Sequence, residues 1–194
     1  ISNSLSIKKV GHAGTLDPMA SGLLPIAIGE ATKTIGVIQQ FKKCYKFVIK
    51  WGEKKSTDDK IGVTISSSNV RPSLQDIQNN LRKFEGKIEQ IPPKFSAIKV
   101  NGIRAYRLAR KKTNFSLNSR TVFIETLKIK KLIDNDHCSF ECICSKGTYI
   151  RALARDLGEA MNCFGHIYEL SRTHVGKFSN RCSILLDLSE KLIH

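Results

Sequence analysis

The chain has 194 residues, which is enough for one domain with a substantial core or for a domain carrying a small inserted lobe. Its 32 Lys and Arg residues outnumber its 17 Asp and Glu residues, and the formal net charge is +15. An excess of this size indicates a polyanionic partner, with nucleic acid as the leading candidate. No signal peptide is recognisable, and no apolar run approaches the roughly 20 residues of a membrane span, so the sequence predicts a soluble intracellular protein.

The basic residues lie in small clusters along the whole chain rather than in one tail. The clusters are Lys8-Lys9, Lys42-Lys43, Lys54-Lys55, Arg110–Lys112 and Lys128–Lys131. This distribution favours a positively charged folded surface over a disordered arm. A Lys-rich composition that serves only solubility is the alternative interpretation. An anionic membrane surface is less favoured, because no amphipathic segment has a wholly basic polar face.

The six cysteines show neither a C-x-x-C pair nor a zinc-type spacing with the five histidines. Cys142 and Cys144 alternate within a strand-like run, so their side chains should share one face of a sheet. The neighbouring pair His137-Cys138 is too small a set of ligands for a metal centre. The sequence therefore predicts reduced core thiols and no metal site.

The N-terminal half of the chain predicts a series of short elements. They are an apolar strand over 22–28 with Pro25 at an edge or bend, a helix over 29–40, a strand over Cys44–Trp51, a turn at Ser56–Asp59, a strand over Ile61–Ile65 and a helix over 73–85. The last helix has the clearest signal. Ser73 is a good N-cap, Asp76 follows three residues later, and apolar residues recur at helical spacing.

The C-terminal half predicts a hairpin, two long strands and a second amphipathic helix. The elements are a strand over Phe95–Val100 with a turn at Asn101-Gly102, a short basic helix over Ala105–Lys112, antiparallel strands over Thr121–Ile133 and His137–Cys144, a helix with Thr148 as its N-cap, and a strand over Ile167–Phe178. The short basic helix and its hairpin are typical of an exposed, RNA-facing flap. Together the elements predict an α+β fold with a mixed, largely antiparallel sheet flanked by helices.

The segment Lys9–Gly22, with the sequence KVGHAGTLDPMASG, is the most informative stretch of the chain. Its glycines permit unusual backbone dihedrals, and Pro18 biases Asp17 away from the α region. Asp17 therefore lies on a stiff, irregular loop. The local pattern alone favours an ordinary Asp-Pro turn over a catalytic carboxylate.

The same segment resembles the catalytic motif of the TruB family of pseudouridine synthases, a Gly-His-x-Gly-x-Leu-Asp-Pro loop, which it matches without a gap. Later blocks are similar to those of the family and follow in its order: Gly29–Lys33, Cys44–Lys46, Thr57-Asp58 with Gly62, Pro92–Gly102 and Ser145–Arg151. The resemblance thus covers nearly the whole chain. It implies the pseudouridine synthase catalytic fold, isomerisation of uridine 55 in the T-loop of tRNA, and no cofactor.

The resemblance implies a catalytic group of three residues. Asp17 is the catalytic carboxylate, Tyr45 packs on the target base and assists removal of the C5 proton, and Arg151 is the ionic partner of Asp17. Without the resemblance, Tyr45 reads as an ordinary strand aromatic. Arg151, which with Arg155 lies off the apolar stripe of its helix, reads as a surface charge.

The resemblance also implies a set of substrate contacts, at His12, Gly14, Lys146, Tyr149 and Arg172. A structural loop histidine is the alternative interpretation of His12. Lys146 and the two residues after it precede a helix, as in a nucleotide-binding loop, but the upstream glycine of a P-loop is absent. An ATPase is therefore disfavoured.

The chain departs from the family pattern at several points. The upstream Lys-Pro block and the small C-terminal RNA-binding domain of many bacterial members are not recognisable, so residues 1–194 read as a catalytic domain without its N-terminal block. Leu170–Thr173 carries one arginine where two adjacent ones are common, and Tyr106-Arg107 places a basic residue where an acidic one is common. None of these changes touches the three catalytic positions.

The predicted partner is the T-arm of tRNA, bound by a monomer in the cytoplasm or in an organelle matrix, with no membrane and no metal. Three alternatives stay open. The first is an RNA-binding or tRNA-folding module without required catalysis, and the second is a guide-dependent relative that modifies other RNAs. The third is a hydrolase with paired carboxylates, for which the sequence offers no clear second acid near Asp17.

Overall fold

The structure, a computed structural model, describes residues 9–184. Its strands are β1 (Val10–His12), β2 (Ser21–Gly22), β3 (Ile26–Ile28), β4 (Lys43–Trp51), β5 (Glu53–Lys55), β6 (Thr64–Ser67), β7 (Gly86–Gln90), β8 (Lys99–Val100), β9 (Ile103–Arg104), β10 (Arg120–Leu132), β11 (His137–Cys144), β12 (Gly165–Val175) and β13 (Phe178–Ser179). Its helices are α1 (Ile35–Gln40), α2 (Leu74–Leu81), α3 (Ala105–Arg110) and α4 (Ile150–Ala160). Short 3₁₀ segments occupy Gly29–Thr34, Arg82–Phe84 and Asn180–Cys182.

A central sheet organises the described residues, with the strand order β13-β12-β4-β11-β10-β7. Neighbours along this path are antiparallel, whereas β2 pairs with β12 in parallel through Ser21 and Gly22. Three two-stranded ribbons, β1-β3, β5-β6 and β8-β9, lie outside the central sheet. The predicted α+β class with a mixed, largely antiparallel sheet is confirmed.

The long central strands bury one face, as their alternating sequences predict. The buried face of β4 carries Phe47, Ile49 and Trp51, and Phe140 of β11 stacks on Phe47 with ring centroids 5.5 Å apart. Helix α4 packs against this face and contributes Leu157. Four cysteines are buried in the same core, so the prediction of core thiols is confirmed for Cys138, Cys142, Cys144 and Cys163.

Helix α4 lies unusually close to the sheet because glycine occupies both sides of the contact. A Cβ atom on Gly158 would lie 2.5 Å from the backbone nitrogen of Gly165, and one on Gly165 would lie 2.8 Å from the carbonyl oxygen of Ala154. Either clash would push α4 away from β12. The close approach holds the middle and the last turn of α4 against β12, and Arg151 lies one turn before Ala154 on the same helix.

Two local predictions agree with the structure in detail. Ser73 forms a reciprocal capping box with Asp76 at the start of α2, because each side chain bonds the backbone nitrogen of the other. Asn101 and Gly102 both have positive φ, 49° and 82°, and connect β8 to β9 as a two-residue hairpin turn requires.

Several predicted boundaries were wrong. The strand expected over 22–28 is interrupted near Pro25, leaving β2 and β3 as separate short strands, and the strand expected over Ile61–Ile65 lies at Thr64–Ser67. Thr148 is not the N-cap of α4, because its hydroxyl donates to the Ser145 carbonyl. The N-cap is Tyr149, whose backbone N–H donates to Oε1 of Gln90 at 2.8 Å.

Among residues 9–184, no helix combines the length and the apolar character needed to cross a bilayer.

Candidate active site

The Asp17 loop connects β1 to β2 and is tied down at both ends. The Ala13 N–H donates to the Pro25 carbonyl at 3.0 Å, and the Ala20 N–H donates to the Asp17 carbonyl at 2.9 Å. Gly14 has a φ of 99°, a conformation that side-chain-bearing residues rarely adopt. The motif therefore folds into a stiff turn with the Asp17 carboxylate at its tip.

Arg172 of β12 holds the Asp17 loop in place through hydrogen bonds to its backbone. Its residue surface is 2% exposed, and its guanidinium donates to the Leu23 carbonyl at 2.8 Å and to the Gly14 carbonyl at 3.0 Å. Gly22 makes the approach possible, because a Cβ atom there would lie 2.3 Å from the Arg172 carbonyl oxygen. The arginine that the resemblance assigned to substrate binding thus uses these donors to hold the backbone of the Asp17 loop.

Arg151 holds the Asp17 carboxylate through two parallel bonds. Its Nε donates to Oδ2 at 2.9 Å, and its Nη2 donates to Oδ1 at 2.7 Å. The Arg151 side chain is only 4% exposed, whereas that of Asp17 is 26% exposed. The ion pair that the resemblance implied is present, and a bidentate pair of this kind fixes the carboxylate in both position and orientation.

The Arg151 guanidinium also bonds to groups that sequence reasoning did not single out. It donates to the carbonyls of Thr57 at 2.9 Å and Phe95 at 3.1 Å, and Oδ2 of Asp59 lies 3.7 Å from its Nη1. Asp59 is buried and receives the Thr57 hydroxyl and the Ile61 N–H on Oδ1. A second acid therefore lies near Asp17, although the guanidinium separates the two carboxylates.

Sequence analysis did not identify Asp59 as a site residue, because it lies in a segment, Ser56–Asp59, whose residue types are typical of a turn. The available signal was its place beside Thr57-Asp58, which matched a family block. Two carboxylates beside one guanidinium carry a formal net charge of −1, and both lie against the same cation, so the arrangement is typical of a positioned nucleophile or base rather than of an acid and base pair.

An open cavity of about 820 Å³ surrounds the exposed edge of Asp17. All the predicted site residues except one contribute to its lining: Gly14, Asp17, Tyr45, Lys146, Tyr149, Arg151 and Arg172. The exception is His12, which lies in β1 opposite Ile26 and is exposed outside the lining. The cavity has the size of a typical small-molecule site and admits a single nucleotide.

Tyr45 projects into the cavity from the central strand β4. Burial raises the pKa of its phenol to about 12, and the nearby Cys144 thiol and Asp17 carboxylate act in the same direction. The Tyr45 phenol is therefore protonated at neutral pH. This electrostatic setting favours a packing surface or hydrogen-bond donor over an independent base.

The rim and floor of the cavity are basic. Lys43 is buried, and its ammonium group donates to the carbonyls of Gln39 and Phe41, both at 2.6 Å. Burial, together with nearby Arg172, lowers the pKa of Lys43. Lys146 and Arg110 are exposed at the rim, where their charges are available to phosphate groups. Within residues 9–184, no group of three His, Cys, Asp or Glu side chains is arranged to hold a metal ion.

Comparison with protein families identifies two matches that together span most of the chain. The model described as TruB family pseudouridylate synthase (N terminal domain) matches residues 3–150, and the model described as tRNA pseudouridylate synthase B C-terminal domain matches residues 151–193. The described part of the second match includes α4 and β12, which belong to the same core as the first.

Curated proteins from several bacteria are similar to the chain. The tRNA pseudouridine synthase B of Brucella anthropi is 50% identical over 179 residues, covering 92% of this chain and 55% of that protein. The protein of the same name from Caulobacter sp. (strain K31) is 45% identical, covering 99% and 62%, and that from Ehrlichia ruminantium is 47% identical, covering 98% and 64%. The chain therefore spans about half to two thirds of the length of these relatives.

Solved structures share the fold. The structure described as a Cbf5-Nop10-Gar1 complex aligns with a TM-score of 0.69 at 26% identity, covering 92% of this chain and 44% of that chain. The archaeal box H/ACA sRNP Nop10-Cbf5 complex aligns with a TM-score of 0.63 at 24% identity, covering 92% and 42%. The family matches, the relatives and the fold agree, and the chain belongs to the TruB family of pseudouridylate synthases.

Proposed function

We propose that this chain carries the catalytic site of an enzyme that isomerises uridine 55 in the T-loop of tRNA to pseudouridine. The observation that carries the proposal is the Asp17 carboxylate, which a buried arginine holds bidentately at an open cavity beside Tyr45. Membership of the TruB family supplies the reaction class. The tRNA substrate rests on the likeness to proteins named tRNA pseudouridine synthase B, whereas uridine 55 in the T-loop and action as a monomer are what the motif resemblance to the family implies.

The reaction breaks the bond between C1′ of the ribose and N1 of uracil, turns the detached base, and joins C1′ to C5. The proton on C5 leaves at the end and the freed N1 carries a proton in the product, so atoms and charge balance and the overall change is an isomerisation that needs neither an oxidant nor a metal. A single positioned carboxylate suffices as nucleophile or base, which is the role of Asp17. Arg151 keeps that carboxylate oriented throughout, and the Tyr45 ring packs on the uracil.

A uridine in a folded RNA loop cannot reach a carboxylate at the bottom of a cavity unless it leaves its stack. Flipping the nucleotide costs a few kcal/mol. Phosphate contacts offset this cost, and the exposed Lys146 and Arg110 stand at the rim where the backbone of a flipped nucleotide would pass. Loop shape and the fit of the flipped base then provide selectivity.

The first test measures conversion in a single turnover on an unmodified T-arm hairpin labelled with tritium at C5 of the target uridine. The enzyme should release tritium without a guide RNA or protein partner, and Asp17→Asn should release none. Asp58→Asn is the matched control, because Asp58 is likewise paired with an arginine, but it is buried and does not line the cavity. It should retain activity within a few fold.

The outcomes separate the proposed enzyme from its alternatives. Tight, salt-sensitive hairpin binding by both the wild type and Asp17→Asn, with no release by either, would favour an RNA-binding or tRNA-folding module. Release only in the presence of a guide RNA would favour a guide-dependent relative. Appearance of free uracil in place of pseudouridine would favour a hydrolase.

A further inference from the structure

Thr57, in the turn between β5 and β6, bonds to both Arg151 and Asp59. Its carbonyl accepts from Nη1 of Arg151 at 2.9 Å, and its hydroxyl donates to Oδ1 of Asp59 at 2.5 Å. The backbone carbonyl of Asp59 lies 3.4 Å from the same hydroxyl and is the weaker acceptor by distance. A single residue thus holds the arginine through its backbone and the buried acid beside that arginine through its side chain.

The two oxygens of the Asp59 carboxylate have different surroundings. Oδ1 accepts from the Thr57 hydroxyl and from the Ile61 N–H at 3.1 Å, whereas Oδ2 lies 3.7 Å from Nη1 of Arg151. Two donors on Oδ1 fix the orientation of the carboxylate, because rotation about its Cβ–Cγ bond would break these hydrogen bonds. The Asp59 side chain is only 5% exposed, so water offers little compensation for a lost donor. The Thr57 hydroxyl therefore helps to keep Oδ2 turned toward the guanidinium.

Gly62 allows the turn to close tightly over Thr57. A Cβ atom at Gly62 would collide with the Thr57 hydroxyl oxygen and would lie 2.7 Å from the Thr57 backbone nitrogen. The Gly62 N–H also donates to the Asp59 carbonyl at 3.2 Å, which closes the turn from the other side. The Thr57 hydroxyl consequently has little space in which to move away from Asp59.

Arg151 connects this turn to the Asp17 carboxylate through one rigid group. Its Nε and Nη2 donate to Asp17, while its Nη1 donates to the Thr57 carbonyl and faces Asp59. The guanidinium is planar, so a displacement of Nη1 turns Nε and Nη2 with it. A change in the orientation of the Asp59 carboxylate therefore alters the two bonds that orient Asp17.

We infer that Thr57 is a positioning residue for the Asp17 carboxylate, acting through Asp59 and Arg151. This inference rests on the proposed function, in which Asp17 acts on the target uridine. The Thr57 hydroxyl holds the Asp59 carboxylate, and Asp59 and the Thr57 carbonyl together hold Nη1 of the guanidinium. Thr57 also lines the cavity, but its hydroxyl carries one proton and donates it to Asp59, so its role is orientation and not donation to the substrate.

The test replaces the Thr57 hydroxyl while keeping the shape of the side chain and the backbone carbonyl. Tritium release in a single turnover, measured over a range of enzyme concentrations, gives the maximal rate and the half-saturating concentration for the T-arm hairpin. Thr57→Val should lower the maximal rate about tenfold, near the lower end for one hydrogen bond to a charged group. It should change the half-saturating concentration by less than about twofold, because the affinity for RNA does not depend on the orientation of Asp17. Thr57→Ser keeps the hydroxyl and should stay within about threefold of the parent rate.

Thr64→Val is the matched control, because it makes the same chemical change on the same ribbon. Thr64 is exposed in β6, its hydroxyl accepts from Lys55 at 2.8 Å, and it does not line the cavity. Its replacement should leave the maximal rate within about twofold of the parent. Equal losses of rate in Thr57→Val and Thr64→Val would overturn the inference in favour of a general loosening of the ribbon. Failure of Thr57→Ser to retain the rate would assign the effect to packing of the methyl group and would also overturn it.

A double-mutant cycle tests whether Thr57 acts through Asp59. Asp59→Ala removes the acceptor, so Thr57→Val should cause no further loss of rate when it is added to Asp59→Ala. A further loss of about tenfold in the double variant would contradict the inference, because the hydroxyl would then act by another route. A loss confined to the half-saturating concentration would assign Thr57 to direct substrate contact instead. Absence of tritium release by the parent enzyme would refute the proposed function, whereas release that Thr57→Val leaves unchanged would refute only the role of Thr57.

Discussion

Arg151 and Arg155 lie one turn apart on α4, and both bind the segment that follows β5, yet their surroundings differ. Arg151 binds Asp17 and lies 3.7 Å from Asp59, and its pair with Asp17 borders the cavity. Arg155 binds Asp58 at 3.1 Å and Asp156 at 2.8 Å, and it also donates to the Ile91 carbonyl. No residue of this second cluster, which consists of Arg155, Asp58, Asp156 and Ile91, contributes to the cavity lining.

The comparison shows that the same side-chain types on one helix face support different roles. The Arg155 cluster ties α4 to the turn at Thr57–Asp59 and to the end of β7, and neither of its carboxylates lines the cavity. The Arg151 cluster leaves one carboxylate accessible at an open cavity. A place in the cavity wall, rather than the ion pair or the exposure of the carboxylate, distinguishes the candidate catalytic arginine from the structural one, because the Asp17 and Asp156 side chains are both 26% exposed.

The largest difference between the clusters should appear when each arginine becomes lysine. Arg151→Lys keeps the charge but cannot hold both oxygens of Asp17 while also reaching the Thr57 and Phe95 carbonyls. Single-turnover conversion should fall about 100-fold or more, as expected for a misplaced catalytic group. Arg155→Lys should reduce the rate only a few fold, although it should lower the melting temperature. Equal losses of rate would show that both clusters act as one unit.

The second prediction compares replacement of Asp59, beside Arg151, with replacement of Asp58, beside Arg155. Asp59→Asn preserves the size of the side chain but removes the negative charge beside Arg151, so Asp17 alone would face the guanidinium. We expect roughly a tenfold lower single-turnover rate with little change in hairpin affinity, because Asp59 is almost fully buried and acts through the position of Arg151. Asp58→Asn should not show this loss. A change confined to affinity in Asp59→Asn would contradict a positioning role.

Much of the structure around Arg151 and Arg155 was predictable from sequence, but the difference between their surroundings was not. Strands β4 and β11 were predicted closely because each buries one face, and the Asp17 loop was recognised from a dense motif. The burial of Arg151 was not predictable from helical periodicity, because its acceptors lie 94 and 134 positions away in the chain at Thr57 and Asp17. Strand β7 was missed because its five residues show only a weak alternation.

The Arg155 cluster should make the free energy of unfolding depend on pH. Burial raises the pKa of Asp58 to about 6, even though Arg155 opposes the rise. Because the folded-state pKa lies above that of the unfolded chain, the protonated form contributes stability below pH 4, and this contribution is lost as the pH rises through 6. The free energy of unfolding of Asp58→Asn, relative to wild type, should therefore increase from pH 4 to pH 7 by up to roughly 3 kcal/mol.

Asparagine is the appropriate replacement because Asp58 has a φ of 59°, which Asn tolerates better than Ala. Urea denaturation of both proteins across this pH range provides the measurement. A relative stability that falls with rising pH would mean that Arg155 outweighs burial and that the cluster is a stabilising ion pair at neutral pH.

The smallest expected effect compares two lysines outside α4, one near each end of that helix. Lys146 is exposed at the cavity rim, whereas Lys54 binds Glu159 at 3.2 Å near the far end of the helix. If RNA enters over the Asp17 cavity, Lys146→Ala removes one phosphate contact. Hairpin affinity should then fall several fold, and the magnitude of the slope of log affinity against log salt concentration should decrease by about 1. Lys54→Ala should leave that slope unchanged. An equal decrease in both variants would indicate a diffuse attraction to the whole basic surface rather than a directed path into the site.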